Sequence, residues 1–454
     1  MNIRNNSITV LGLGKSGLAA AKLAKKMGAD VFVSDSSTSD DIKKSKDILT
    51  SIGIEVEIGR HSDNVYKNKR LIILSPGIPP DIPILRKAKE ENIKVVSEIE
   101  FASWFSPAKI VAITGTNGKT TTTILIKNIL KEAGYNAIVA GNIGAALSEK
   151  VESLSKSDII VAEISSFQLE TIHRFCPFIS LVLNITPDHL DRYKNMTNYT
   201  HAKSLIFKNQ TAKNFTILNY DDPIVRKFEN TTKAHVSFFS RKIQTCNAFI
   251  KDGKISMRTN EEEKKICRVN ELRIKSTHNL ENMLAVICVA SIFKINPAII
   301  KTTLAKFMGF PHKTEFVNKI NNVTFINDSK ATNVDATKTA IENTLSPIIL
   351  IMGGKHKGSS YSYLKQVIKN KVKNLVLIGK AKDIIRNDLG HIVPITYAYS
   401  MDDAVEEAFS LAEAHDTVLL SPACSSFDMF QNYIERGNLF KNAVNALKLR
   451  IENV

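Results

Sequence analysis

Short apolar runs recur along the chain, each ending in a Gly, Ser or Asn turn and followed by an amphipathic stretch. They read "ITVLGLG", "RLIILSPG", "KIVAITGTNG", "DIIVAEISS", "ISLVLNIT", "VTFINDS", "IILIMGG", "NLVLIGK" and "TVLLSPA". Runs that are apolar almost without a break suit strands covered on both faces, and their alternation with helical patterns predicts parallel α/β sheets. In such sheets ligands gather outside the carboxyl ends of the strands, so chemistry is expected in the turns that close these runs. Residues 235–275 break the rhythm, and "AFIKDGKISM" predicts a hairpin turning at Asp252-Gly253, a small antiparallel addition.

A chain of 454 residues is too long for one ordinary core. Pro107 precedes a new apolar run, and Gly309 and Pro311 follow a helical one, which marks linkers near 107 and 311. The expected architecture is therefore α/β in three domains: 1–107, Rossmann-like; 108–310, a P-loop ATPase type with the antiparallel addition; and 311–454, again Rossmann-like.

No run of about 18 apolar residues is present, so no membrane span is expected. "MNIRNNSITV" enters its first strand at once, so no signal peptide is expected. The cysteines at 176, 246, 267, 288 and 424 are scattered without CxxC spacing, which argues against a disulfide framework or a zinc site and for a cytoplasmic protein. The net charge of +16 raises the question of a nucleic-acid partner. The lysines are dispersed among acids, as in "RKAKEENIK" and "NEEEKKICR", and small anionic substrates account for them better.

Two glycine-rich turns carry the chemical signal. "VLGLGKSGLAAAKLAKKMGADVFVSD" (10–35) sets Gly12, Gly14 and Gly17 before a helix and Asp35 at the end of the next strand. That spacing suits a diphosphate at a helix N-terminus and leaves open a nicotinamide cofactor or another nucleotide. "AITGTNGKTTTT" (112–123) is the stronger signal. Backbone N–H groups of Gly115, Thr116, Asn117 and Gly118 would cradle phosphates, Lys119 would reach the β/γ oxygens, and the Thr120 hydroxyl, followed by Thr121, would ligate Mg²⁺. The loop is shorter than the general pattern, because Ile113 stands where its first glycine would be. A redox enzyme has no use for this second loop, whereas ATP chemistry needs it, with metal ligands at neighbouring strand ends. Glu163 in "VAEISSFQLE" and Asp188, His189 and Asp191 in "LNITPDHLDRY" occupy such ends.

Nearly end to end, "GLGKSG", "SPGIP", "GTNGKTTT", "GNIG", "EISSFQLE", "DHLDRY", "HNLENMLA", "INDSKATN" and "LLSPACSSFDMFQNYIERGNLF" resemble the Mur ligases. The phosphate loop and the asparagine pair are shared with folylpolyglutamate synthetases; "NDSKATN" and "SPACSSFDMF" resemble the D-glutamate-adding branch. The resemblance implies an ATP-dependent amide-bond ligase adding D-glutamate to UDP-N-acetylmuramoyl-L-alanine through an acyl phosphate, in peptidoglycan precursor synthesis, with ADP and phosphate released. A monomer without nucleic-acid or membrane partners is expected.

The site residues follow by the same resemblance. Lys15, Ser16, Asp35, Ser75, Gly77, Asn142 and His189 would hold the UDP-sugar substrate. Asn279, Asn282, His312, Lys313 and Asp328 would join the phosphate loop around ATP, although helix capping suits the asparagines equally. Thr120 with Ser165 or Glu163 would hold one Mg²⁺; Glu163, His189 and a carbamylated Lys203 would serve a second. Lys330, Thr332, Lys357, Ser426, Phe427 and Tyr433 would receive D-glutamate. Lys119, Glu163, His189 and Lys203 would be catalytic. Lys313 departs from the family, which usually shows Arg there, so a point charge replaces a fork.

Overall fold

The computed structural model of the chain describes residues 2–79, 81–259 and 262–452. Strands β1 (Ser7–Leu11), β2 (Asp30–Asp35), β3 (Glu55–Ile58), β4 (Leu71–Leu74) and β5 (Lys94–Ser97) form a sheet ordered β3-β2-β1-β4-β5. Every pair in it is parallel. The order reverses between β1 and β4, so the turns after these two strands flank a crevice at the sheet's carboxyl edge.

The second sheet contains β6 (Lys109–Thr114), β7 (Ala137–Gly141), β8 (Ile159–Glu163), β9 (Ile179–Val182), β10 (Phe215–Asn219), β11 (His235–Ser240), β12 (Ala248–Lys251), β13 (Lys254–Thr259) and β14 (Glu262–Arg268). Its order is β14-β13-β12-β11-β10-β9-β6-β8-β7. β6 lies between β8 and β9, so the phosphate-loop turn has the ends of both as neighbours. Parallel pairing continues through β11 and β12, and the antiparallel addition is β12-β13-β14. Its first hairpin turns at Asp252 (φ 48°) and Gly253 (φ 69°), the positive-φ pair of a type I′ turn, where expected.

The third sheet holds β15 (Glu315–Ile320), β16 (Val323–Asn327), β17 (Ile348–Gly353), β18 (Val372–Ile378), β19 (Ile395–Tyr397) and β20 (Thr417–Leu420), ordered β15-β16-β20-β17-β18-β19. Its continuous apolar strands are divided by the strand period of two. Leu350, Leu375, Leu377 and Leu419 pack on one face. Ile349, Ile351, Val376, Val418 and Leu420 pack on the other. This is the three-sheet α/β architecture that the strand rhythm predicts.

The chain divides into two compact units. The first comprises Met1–Ile185 and Thr197–Phe307 and carries the first two sheets; the second comprises Thr186–Met196 and Met308–Val454 and carries the third. Within the first unit, a helix Glu98–Ser103 leads from one sheet toward the next. Its Glu100 carboxylate accepts the backbone N–H groups of His173, Arg174 and Phe175 and the Trp104 Nε1–H. No helix among the described residues is long and apolar enough to cross a membrane.

Candidate active site

In the first sheet, Gly12 adopts φ +93°, and a Cβ on Gly17 would collide with the Gly12 carbonyl. These glycines let the helix Lys15–Lys26 start directly off β1. Its N-cap is Gly14, which offers no side chain to cap it, so first-turn N–H groups remain available to an anion. Asp35 Oδ2 accepts the Leu13 N–H at 2.6 Å, and the Ser75 hydroxyl donates to the Gly12 carbonyl at 2.9 Å. The structure thus brings Ser75 and Asp35 to the glycine turn, with Lys15 and Ser16 opening the helix beside it; Gly77 is exposed in the turn after β4.

In the second sheet, β6 runs into Gly115–Gly118 and the helix Lys119–Glu132. At Gly115 (φ +149°) a Cβ would crowd Leu183 and Asn184, the nearest atom at 3.1 Å; Gly118 (φ +85°) has Asn282 Oδ1 where a Cβ would stand. Asn184, just beyond β9, fixes the loop: its Oδ1 accepts the Asn117 N–H at 2.8 Å, its Nδ2 donates to the Asn117 carbonyl at 3.1 Å, and its own carbonyl accepts the Thr116 N–H at 3.0 Å. The Lys119 ammonium curls over the loop and donates to the Gly115 and Thr116 carbonyls at 2.9 and 2.8 Å. Thr121 is buried in the first turn of the helix.

Glu163, the last residue of β8, is 2% exposed. The Thr120 hydroxyl donates to its Oε2 at 2.8 Å and the Asn142 Nδ2 to its Oε1 at 2.9 Å. The carboxylate therefore joins the phosphate loop to "GNIG". Ser165 is engaged elsewhere, in a capping box with Gln168 that starts the short helix Ser166–Leu169. Of the two residues expected to share the metal with Thr120, Glu163 is the one hydrogen-bonded to its hydroxyl.

Lys203 is buried, donates to the Gly115 carbonyl at 2.8 Å, and lies 4.7 Å from the Tyr199 ring centre. Tyr199 in turn shares a hydrogen bond of 3.2 Å with the Thr116 hydroxyl. Asn282 is buried in the helix Thr277–Ile292 with its Nδ2 unpartnered. Asn279, by contrast, donates to the Ser276 hydroxyl at the helix start, and no side chain caps this helix.

His189 belongs to the second unit, at φ 53° with its Nε2 3.7 Å from Asp188 Oδ2. Asn333 Nδ2 donates to Asp188 at 3.4 Å and Thr186 to Asp335 at 2.9 Å, which attach this segment to the third-sheet unit. His312 is also buried here, its ring against Gly437 and within 3.0 Å of the Asn327 amide; burial holds its imidazole below the usual pKa. Asp328 accepts from the Thr314 N–H and the Ser421 hydroxyl, and burial pushes its carboxyl up to about 7. Lys313 beside it is half-buried.

Residues expected on nucleotide and amino-acid sides meet in one cluster. The Lys330 ammonium lies 5.8 Å from the Tyr433 ring centre, and that ring stands edge-on to His312 at 6.3 Å. Thr332 is half-buried and Ser426 buried, while Lys357 and Phe427 are exposed in the turns after β17 and β20.

Three side chains escape the sequence reading. Asn184 is one and Tyr361, described below, another. The third is Arg436, 1% exposed on the helix Tyr433–Glu452. It donates through Nε to the Ser329 hydroxyl, through one terminal nitrogen to the Cys424 carbonyl, and through the other to the Ser329 carbonyl. It thus ties "NDSK" to "SPACSS", the turns carrying Lys330 and Ser426. Only the helical stretch "YIERG" encodes it, with no local mark of a buried cation.

The donor set fits nucleotide and Mg²⁺. An uncapped helix start after a loop closed by Gly118, with the unpartnered Asn282 amide beside it, suits phosphate. Among the described residues no three His, Cys, Asp or Glu side chains form a metal cage. One hydroxyl and one carboxylate, Thr120 and Glu163, instead match Mg²⁺, which keeps waters and takes phosphate oxygens.

Comparison with known proteins agrees along the whole chain. The Mur ligase MurD-like N-terminal domain matches residues 6–97, the Mur ligase middle domain 113–290, and the Mur ligase glutamate ligase domain 312–424. UDP-N-acetylmuramoylalanine--D-glutamate ligase of Thermoanaerobacter pseudethanolicus is 44% identical over 453 residues, 99% of this chain and 100% of that one. The protein of the same name from Alkaliphilus metalliredigens is 39% identical over the same shares. Two solved structures share the fold. A pseudomurein peptide ligase type C from Methanothermus fervidus has TM-score 0.61 and 20% identity over 98% of this chain and 100% of that one. UDP-N-acetylmuramate-alanine ligase from Thermotoga maritima has TM-score 0.58 and 18% identity over 97% and 100%. With its phosphate loop, its three matched domains and relatives of this identity over its full length, the chain belongs to the Mur ligase family.

Proposed function

We propose that this enzyme joins D-glutamate to UDP-N-acetylmuramoyl-L-alanine at the expense of ATP, releasing ADP and phosphate. The observation that carries the reading is the chain of hydrogen bonds Thr120–Glu163–Asn142, which couples a phosphate loop to the turn assigned to the muramoyl substrate. The full-length likeness to relatives named for D-glutamate supports the choice of amino acid.

A carboxylate is a poor acyl donor. In this reading the L-alanyl carboxylate oxygen attacks the γ-phosphorus, ADP leaves, and an acyl phosphate results. The D-glutamate amine then attacks the acyl carbon, loses a proton, and expels inorganic phosphate. Both steps bring anions together, so stabilising negative charge is the main catalytic task. Lys119 holds its ammonium at the loop mouth on two carbonyls that phosphate oxygens can replace as acceptors. Bound Mg²⁺ supplies further charge neutralisation on the phosphates. Glu163 fixes the Thr120 hydroxyl and the Asn142 amide at once, orienting the two loops whose ligands must meet.

Residues 1–107 take the UDP-sugar through Lys15, Ser16, Asp35, Ser75 and Gly77, and residues 108–310 take ATP. Residues 311–454 take D-glutamate through Lys330, Thr332, Lys357, Ser426, Phe427 and Tyr433, with His312, Lys313 and Asp328 on the nucleotide side. His189 serves the substrate and a second Mg²⁺, together with a carbamate on Lys203. The carbamate keeps one N–H on Nζ, so the bond to the Gly115 carbonyl is compatible with either form of the lysine. The enzyme acts as a cytoplasmic monomer on small molecules.

The test is phosphate release from ATP in the presence of UDP-N-acetylmuramoyl-L-alanine and a panel of amino acids. D-Glutamate is expected to be the preferred acceptor; preference for another amino acid overturns the assignment.

A further inference from the structure

Two turns of the third sheet meet. The turn after β17 carries Lys357, and the turn after β20 carries Ser426. Lys355 N–H donates to the Ser425 carbonyl at 2.8 Å and Ser425 N–H to the Lys355 carbonyl at 3.2 Å, an isolated antiparallel bridge. Lys357 is two residues beyond one end of this bridge, and Ser426 is one residue beyond the other.

Beneath the bridge lies Tyr361, 1% exposed and packed in the apolar cluster of that face. Its backbone N–H is fixed by Asp388 Oδ2 at 2.9 Å. Its hydroxyl is 2.9 Å from Cys424 Sγ and 3.0 Å from His356 Nδ1. The two partners sit on the two turns: His356 is next to Lys357, and Cys424 is two residues before Ser426. A phenylalanine would fill the same apolar space, so what the hydroxyl adds is the polar link between the turns.

Tyr361 and Cys424 are both neutral. Burial pushes the Cys424 thiol up to about 11 and raises Tyr361 well above the usual phenol range, so both keep their protons near neutral pH. A buried protonated thiol is neither nucleophile nor metal ligand. Nor does the hydrogen-bonded chain lead onward as a proton path, since it ends at Cys424 in the core. What remains for it to do is hold geometry.

We propose that Tyr361, through His356 and Cys424, is a positioning residue that sets the spacing of Lys357 and Ser426 and so the affinity for the acceptor amino acid. The proposal rests on the assignment of these two residues to the acceptor site. A dicarboxylate held by a point charge from one turn and a hydroxyl from the other is sensitive to their separation, whereas the phosphates of ATP are assigned to the loop of the second sheet.

The experiment compares wild type, Tyr361→Phe, His356→Ala and the double variant as full-length enzymes, in steady-state kinetics for all three substrates and in thermal melts. Tyr361→Phe is expected to raise the acceptor KM about 5- to 10-fold, the worth of one hydrogen bond. The KM for ATP and kcat stay within about twofold, because the link joins only the two turns assigned to the acceptor. Because both residues act through one chain, the double variant is expected to be no worse than the weaker single variant. An unchanged acceptor KM in Tyr361→Phe overturns the proposal, as does an ATP KM or kcat that moves as far as the acceptor KM. Wild-type preference for another acceptor overturns the substrate assignment alone, because the Tyr361→Phe comparison is then read on that acceptor.

Discussion

The Thr120 hydroxyl and the Glu163 carboxylate are hydrogen-bonded at 2.8 Å, joining the start of the phosphate-loop helix to the end of the neighbouring strand. Thr120→Val keeps the shape and removes the donor and metal-ligand oxygen. Phosphate-release assays over a Mg²⁺ titration should show an apparent Mg²⁺ requirement raised about 10- to 100-fold. Glu163→Gln removes the charge and is expected to lower kcat by roughly 10²- to 10³-fold. Wild-type Mg²⁺ dependence in Thr120→Val would remove the hydroxyl from the metal site.

Gly118 and Asn282 pack so closely that any side chain at 118 meets the amide, and φ +85° adds strain for an L-residue. Gly118→Ala should therefore displace the Asn282 amide and weaken nucleotide binding by calorimetry. Adding Asn282→Ala removes the collision and leaves the backbone cost, about 1–2 kcal/mol, together with the loss of the Asn282 amide's own contact to the nucleotide. The double variant should bind nucleotide better than Gly118→Ala, a reversal of the usual additive loss. Equal or weaker binding by the double variant would show that the collision does not govern the loop.

These two pairs also indicate what the sequence makes legible. Strands buried on both faces carry a continuous apolar signal, so β1, β4, β6, β8, β9, β16, β17, β18 and β20 and the turns closing them are apparent from the chain. β3, β14, β15 and β19 are short or polar edges, where one side needs no apolar partner and the signal fades. Ser165 shows a different difficulty. Its S-x-x-Q spacing to Gln168 is a capping-box pattern, which the hydrogen bonds show, and the same serine also reads as a metal ligand from the sequence. Arg436 and Asn184 are illegible for a third reason. Their partners, Ser329 and Asn117, are 107 and 67 residues away in the chain, and only the parallel topology brings them together.

Arg436 bridges two turns from within the core, and lysine in its place has one head for three acceptors. Arg436→Lys should leave the Ser329 or Cys424 carbonyl unsatisfied and cost about 1–3 kcal/mol, read as a lowered denaturation midpoint. The acceptor KM should rise with it, because the same turns carry Lys330 and Ser426. An unchanged midpoint would mean that water or a backbone shift replaces the fork.

Asp328 gives a pH dependence of defined sign. Its carboxyl is raised from 3.8 to about 7 by burial, against the opposing hydrogen bonds from Ser421 and Thr314 and the charges of Lys313 and Arg436. The folded state therefore binds a proton that the unfolded chain has already released between these values. Its contribution is full below 3.8 and is lost as pH rises through 7. Asp328→Asn keeps the size and stays neutral, so its stability relative to wild type should improve between pH 4 and pH 8, by at most a few kcal/mol. Denaturant melts at several pH values measure this; parallel curves for the two proteins would rule out the shifted carboxyl.

Lys203 poses the sharpest question about charge, since the proposed carbamate would turn a cation into an anion beside the phosphate loop. As an ammonium, Lys203 donates to the same Gly115 carbonyl as Lys119 and faces the Tyr199 ring, so it would add positive charge where phosphate binds. As a carbamate, it would keep the N–H to Gly115 and offer two oxygens to a metal. Lys203→Ala separates the two states, because each leaves a gap that a different small molecule fills. If the carbamate operates, short carboxylic acids should restore part of the lost activity and methylamine should not. If the ammonium operates, the amine should rescue and the acids should fail. Full activity of Lys203→Ala without any additive would remove the residue from catalysis altogether.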